Sequence, residues 1–322
     1  MTAITAEARA FRAGDDALLL QGIERAAALG GVRRTLRELQ WRYGEAPHGA
    51  RVAFARDERG GIRAGIAATR HKVSFEGQEV HWLEVGDFFN DFASGRGLSR
   101  ARALLAAGQA CAESFGGFAP EKHPVLYGLP DRRAHRFGLG QLEWEVLRSE
   151  NELRAELARL ESRAAGGVDV EEVERFPDEV ALCFRRFAEG RAALIVRDAA
   201  YLNWRYGAGR ERKQRLALAR VQGELRGYAV YSAGWLMDWM VRPEEEDVAH
   251  ELLAWAASRA RLDGASLSLV VPDTAPEWLA FQRRGFRAVG TREYLCFRSF
   301  QRPAIMSWLF KNWFYTRGDT LR

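Results

Sequence analysis

The tetrapeptide Trp-Arg-Tyr-Gly occupies residues 41–44 and again 204–207. Trp and Tyr are scarce residues, so two copies in one chain point to an internal repeat. The neighbouring segments agree. After the first copy come a polar turn and the strand-like stretch Gly-Gly-Ile-Arg-Ala-Gly-Ile-Ala at 60–67; after the second comes Gly-Glu-Leu-Arg-Gly-Tyr-Ala-Val at 223–230. Each half continues through a strand carrying one buried-looking acid, Asp87 or Asp238, then an amphipathic helix and an apolar strand ending at Pro130 or Pro272. A second helix and a last strand complete each unit. A chain of 322 residues, 47% hydrophobic, is long enough for two such cores. The fold class is therefore α/β, a duplicated unit in which a mixed sheet is flanked by helices.

Periodicity places the elements. Helices are expected over 16–29 and 32–43 after a short mobile start, with strands over 51–56, 62–73 and 78–89. A helix over 98–112, a strand over 125–128, a helical turn over 134–139 and a closing strand over 143–147 finish the first unit. Residues 151–163 read as a charged helix and 164–168 as a small-residue loop, which puts the boundary near Ser149. The expected units are thus 1–148 and 149–302, followed by an apolar tail over 303–322. The second unit repeats the order: helix 177–189, strands 214–219, 225–231 and 235–241, helix 246–261, strand 266–271, helix 275–284 and strand 287–298.

Charge excludes little but guides. The pI is about 9.3, yet the net charge is only +5, and Arg and Glu are interleaved. This suits solvated mixed-charge faces better than a nucleic-acid stripe. Cys111, Cys183 and Cys296 are far apart and set among apolar residues, so no disulfide framework or metal spacing is read. No signal peptide and no apolar run of spanning length is visible, and a cytoplasmic location is expected.

The most informative local stretch for chemistry is 86–99. A strand runs into the turn Ser94-Gly95-Arg96-Gly97 and directly into a helix opening at Leu98 and Ser99. Unpaired N–H groups and the positive end of the helix dipole would then converge on one spot, as a pyrophosphate requires. Glycine lets the backbone approach such a ligand closely. An ordinary strand-to-helix turn is the alternative. The full dinucleotide fingerprint and the Walker sequence are both missing, and the six histidines show no metal-ligand spacing.

The element order resembles the GCN5-related N-acetyltransferases, the GNAT superfamily. Residues 86–105 look like that family's acetyl-CoA segment, with Gly95 and Gly97 on its two small turn positions. Leu126-Tyr127-Gly128-Leu129-Pro130 and 133–140, ending in Leu139-Gly140, are similar to the strand and helix that come next. In the second unit 280–286, ending in Gly285-Phe286, resembles the same helix. The paired Trp-Arg-Tyr segments resemble tandem GNAT proteins among bacterial acyltransferases. The family's first turn position, usually Arg or Gln, falls on Phe92 here, or on Ser94 if the loop is one residue shorter. Phosphate contacts would then rest on backbone N–H groups and Arg96.

The resemblance implies acetyl-CoA or another acyl-CoA as co-substrate, a small-molecule amine as acceptor, and no metal. The amine attacks the thioester directly. A strand N–H near Phe88, Phe89 or Asn90 would polarise the thioester oxygen. Glu84 and Asp87 are the candidate bases and Tyr127 the candidate acid, with His135 and His81 behind them. Each also has a plain structural role open to it. Trp41, Arg42 and Tyr43 read as structural, an aromatic and arginine cluster locking a helix end.

The second copy differs at the turn. Pro243 removes a donor, and Glu244, Glu245, Glu246 and Asp247 occupy the position of a pyrophosphate. Like charges about 4 Å apart oppose each other by ~1 kcal/mol even in water, so this site is expected to be degenerate. In the tail, Ile305, Met306, Trp308, Leu309, Phe310, Trp313, Phe314 and Tyr315 are apolar, and docking on the two units is favoured over peripheral membrane contact. Two other classes stay open. One is a non-catalytic GNAT-like ligand-binding or scaffold protein. The other is an aminoacyl-tRNA-dependent transferase, which pairs two such folds but adds a coiled-coil arm longer than 151–163 could form.

Overall fold

In a computed structural model, the residues described are 3–27, 33–91, 98–117, 119, 121–160, 166–207, 214–300 and 304–320. The first half runs β1 (Ile4–Ala10), α1 (Asp15–Ala27), α2 (Leu36–Leu39) with a π-helical turn at Gln40–Gly44, β2 (Ala50–Asp57), β3 (Ile62–Phe75), β4 (Gln78–Asn90), α3 (Leu98–Phe115), β5 (Val125–Gly128), α4 (Arg132–Gln141) and β6 (Glu145–Ala155). The second runs β7 (Val168–Val173), α5 (Val180–Ala188), β8 (Ala193–Ile195), α6 (Ala199–Tyr206), β9 (Arg215–Val221), β10 (Glu224–Ser232), β11 (Trp235–Val241), α7 (Glu246–Leu262), β12 (Leu267–Leu269), α8 (Pro276–Arg283) and β13 (Arg287–Ser299). The tail forms α9 (Met306–Asn312) and β14 (Trp313–Phe314).

Two helix starts repeat as closely as the tetrapeptides do. Thr35 caps α2, accepting from the Glu38 N–H in a reciprocal capping box, and Asp198 caps α6 by accepting from the Tyr201 N–H. Each cap follows an arginine that stands seven residues before its tryptophan, Arg34 and Arg197.

The strands join one sheet in the order β1-β2-β3-β4-β5-β13-β6-β12-β11-β10-β9-β7. Its centre is an exchange. β13, the last strand of the second half, pairs with β5 of the first, while β6 of the first pairs with β12 of the second. β6 and β13 lie antiparallel to each other between them. Backbone bonding on both edges explains why 151–155 is strand rather than the expected charged helix. Leu153 and Ala155 are buried, and Glu152, also buried, accepts from the Ser268 hydroxyl while Arg154 stays exposed. The strand crosses residue 149, where the unit boundary was expected.

Three further differences have simple causes. The expected mobile start is β1, paired with β2 from Ile4↔Asp57 to Ala10↔Arg51, with Ile4 and Ala8 packed toward the core. Of the expected small-residue loop, 166–167 form a turn and only Val168 enters β7, an edge strand on β9, whereas 161–165 lie outside the described residues. Residues 199–206, where the periodicity predicts no helix, form α6.

In the first half, small side chains on the sheet (Ala53, Ala55, Ala64, Ala68) receive α3 through Ala103, Leu104, Ala107 and Cys111. On the other face α1 packs Leu19 and Ile23 against Val52, Phe54 and Phe89. The tail is interior. Leu309, Trp313, Phe314 and Tyr315 are buried, and the Trp313 ring meets Tyr127 at 4.9 Å and Trp82 at 5.1 Å, both edge-on. Ile305 and Met306 stay exposed. Among the described residues no helix is long and apolar enough to cross a membrane.

Candidate active site

β4 carries a bulge. Ala67 faces Asp87 and Ala68 faces Val85, so Gly86 has no partner on β3. An unpaired residue bends the strand and re-aims the side chains beyond it. Parallel pairing with β5 is confined to Leu83↔Leu126 and Glu84↔Tyr127. Beyond it, residues 85–90 of β4 and 128–130 at the end of β5 line a cavity of about 710 Å³. α3 contributes Leu104, Gly108, Cys111 and Ala112, and α4 contributes His135, Phe137 and Gly138. Ile23, Ala26 and Arg34 bound it on the α1 side, so it reaches both faces of the sheet. Arg292, Glu293 and Cys296 come from β13, so a strand of the second half completes the site in the first. A largely apolar cleft of this size with a few polar groups suits a cofactor-sized ligand.

The candidate residues separate into two places. Phe88, Phe89, Asn90 and Asp87 line the cavity. Ser94, Gly95, Arg96 and Gly97 lie outside the described residues, as does Phe92; Leu98 and Ser99 open α3, and their side chains are not described. Glu84 and Tyr127 do not border the cavity. They are buried in the seam between the halves, because adjacent strand residues face opposite sides of the sheet. Glu84 is bonded to His71 Nε2 at 2.9 Å. The Tyr127 hydroxyl donates to the Asp319 carbonyl at 3.2 Å, and burial, with Glu84 nearby, pushes its pKa well above the ordinary range. His135 borders the cavity, stacked on Tyr294 at 4.8 Å, and its Nε2 has no hydrogen-bond partner among the described residues. His81 lies elsewhere, against His48, with its pKa lowered to about 4 by burial and by Arg70.

Asp87 is the centre of a cluster. Its Oδ1 accepts from Arg34 Nε at 2.8 Å, and its Oδ2 from the Tyr43 hydroxyl at 2.8 Å and Arg42 Nη1 at 3.4 Å. Two of these partners belong to the first tetrapeptide. Arg34 does not, and no motif singles it out. Counting back from each tryptophan to the matched Arg34 and Arg197 is the signal in the sequence that would find it.

The second half builds the same cluster differently. β11 has its bulge at Met237, directly before Asp238, as β4 has at Gly86 before Asp87. Asp238 accepts from Arg197 Nε at 3.2 Å, from the Tyr228 hydroxyl at 2.9 Å and from Thr316 Oγ1 at 3.0 Å. Here the tail lies over the bulge. Arg197 Nη2 donates to Asp319 Oδ2 at 2.6 Å, and Arg205 donates to the carbonyls of Gly318 and Thr320 at 2.6 and 2.7 Å. A side chain on Gly318 would strike the Tyr206 hydroxyl and the Met237 carbonyl, so only glycine passes. Between β11, α7 and α8 the space is about 20 Å³, filled by the rings of Trp239 and Phe281 at 5.2 Å, with Glu277 paired to Arg191 beside them. Of the carboxylates before α7, Glu244 pairs with Arg242 and Glu245 with Arg226.

This is the architecture of two GNAT-type units sharing one sheet, and solved structures agree on the fold. The chain is similar to a conserved Enterococcus faecalis V583 protein described as a probable N-acyltransferase (TM-score 0.67, 14% identity, 92% of this chain and 73% of that one). It is also similar to a GCN5-related N-acetyltransferase from Kribbella flavida (0.61, 15%, 92% and 71%) and to a tandem GNAT protein from the clavulanic acid biosynthesis pathway (0.54, 13%, 91% and 97%). At these identities the likeness is one of fold. No protein-family model and no curated protein matches the sequence.

Proposed function

We propose that the protein is an acyl-CoA-dependent N-acyltransferase working in its first unit, residues 1–148, with 149–302 as a degenerate copy. The observation that carries this reading is the contrast between the open cavity at β4 and the filled space at β11, about 710 against 20 Å³. In the first unit the acyl-CoA would thread between α3 and α4 toward the Gly86 bulge, its pyrophosphate at 94–99. A backbone N–H between Phe88 and Asn90, which line the cavity, would meet the thioester oxygen.

The acceptor nitrogen attacks the thioester carbon. The C–N bond forms, the C–S bond breaks, and the thiolate leaves as CoA thiol with the proton lost by the amine. Of Glu84, Asp87 and Tyr127 only Asp87 borders the cavity, and three donors already occupy its oxygens. We assign it the positioning of Arg34. His135, whose Nε2 has no described partner, is the cavity group suited to carrying the proton. Glu84 and Tyr127 then stabilise the seam between the units.

Calorimetric titration with acetyl-CoA and longer acyl-CoAs tests this reading. One acyl-CoA bound per chain is the expected result. Two per chain would overturn the degenerate second site, and none would leave the ligand-binding or scaffold alternative.

A further inference from the structure

The two matched arginines differ in one respect that concerns the acceptor. Both use Nε to hold the acid after the bulge, Asp87 or Asp238. Arg197 then spends Nη2 on a second carboxylate, Asp319, delivered by the tail, with Nη1 on the Ile195 carbonyl. Arg34 has one carboxylate, Asp87, and its Nη1 and Nη2 make no hydrogen bond among the described residues. Arg34 borders the large cavity with a side chain only 13% exposed. A guanidinium is a planar fork of five donors that cannot lose its charge, so its outer nitrogens suit an anion. The second unit meets the same fork with the chain's own Asp319. The first unit has an open cavity in the same place.

We propose that the acceptor carries a carboxylate and that Arg34 binds it, in the position that Asp319 holds against Arg197. This rests on the acyltransferase reading and deepens it. The substrate class is a small amine bearing a carboxylate, amino-acid-like, with its carboxylate on Arg34 and its amine toward the Gly86 bulge. The tail over the second unit is in this sense a built-in copy of the acceptor's anionic end. Arg34 serves because its outer nitrogens remain a donor pair while Asp87 fixes the inner one, so a carboxylate can be received with defined orientation.

The test compares ligands on the unaltered full-length protein. Free L-amino acids and dipeptides are titrated calorimetrically without acyl-CoA, each beside its carboxamide and its decarboxylated amine. The same sets are then offered with acetyl-CoA while thiol release is followed. The expected result is at least tenfold preference for the carboxylate form in the best members, about 1.4 kcal/mol. Arg34→Gln should erase the preference and Arg34→Lys should keep part of it. Carboxamides or decarboxylated amines binding as well as their parents would overturn the proposal, as would a panel in which no carboxylate binds. Failure to bind acyl-CoA would instead refute the acyltransferase reading, because the carboxylate preference is measured without it.

Discussion

Trp41 and Trp204 each donate their indole N–H to the other's backbone carbonyl, at 2.7 and 2.8 Å, with rings stacked 5.5 Å apart. One tetrapeptide supplies both sides of the contact, so it is self-complementary, as an isologous dimer interface is. Together with the exchange of β6 and β13 it turns two repeats into one body.

Trp41→Ala should destabilise the protein by ~3–5 kcal/mol, the usual cost of truncating a buried tryptophan, and Trp204→Ala, at a partly buried position, by less. Because each loss removes the other's partner, the double variant should cost less than the sum by ~0.5–3 kcal/mol. Denaturant midpoints of the three variants decide the matter; strict additivity would show that the two rings do not act as a pair.

Asp319→Ala should lower stability by ~3–5 kcal/mol, since it leaves the fully buried Arg197 with one carboxylate in place of two. Deleting residues 303–322 should lower the melting temperature further and promote aggregation by uncovering Tyr127 and Trp82. A truncated chain that melts like the full-length one would contradict the packing described.

Acid should weaken the fold before the carboxylates titrate. Burial lowers the His123 pKa to about 3 and that of His81 to about 4, from an ordinary 6.5. Below 6.5 the unfolded chain takes up protons that the folded chain refuses, so stability rises with pH between about 4 and 6.5. His123→Gln should flatten that slope in urea titrations run across the range. An unchanged slope would remove His123 as a contributor.

Gly128→Ala should open the junction of β4 and β5. A Cβ there would come within 2.7 Å of the Val85 carbonyl, against backbone that cannot rotate away. The cost should be ~1–3 kcal/mol, as for other overpacked sites, with weaker acyl-CoA binding. Wild-type melting and affinity would mean that the strands separate there freely.

Gly97→Val addresses the turn, which lies outside the described residues. If its backbone cradles the pyrophosphate, the folded variant should bind CoA at least tenfold more weakly, ~1.4 kcal/mol. Calorimetry with CoA alone reads the difference directly, and equal affinity would move the phosphate elsewhere.

Much of the fold was legible in the sequence because it depends on local periodicity and on repetition. The two tetrapeptides, the alternation in β3 and β10, the Pro after β5 and β12, and the amphipathic α3 and α7 are each set by neighbours a few residues away. The acid-free turn of one copy and the carboxylate run of the other also stand in the sequence. What it could not convey was partnership at long range. β6 resembles a charged helix until β12 and β13 supply its hydrogen bonds from opposite edges. Glu84 and Tyr127 resemble site residues until the fold turns them into the seam and leaves Asp87, of those three, on the cavity, and Arg34 is unremarked until Asp87 and Arg197 explain it. The tail's apolar residues announced burial but not the place. The internal repeat and its elements were thus determined along the chain, whereas the strand exchange, the filled second cleft and the open arginine were decided by contacts between segments distant in the sequence, which no local pattern encodes.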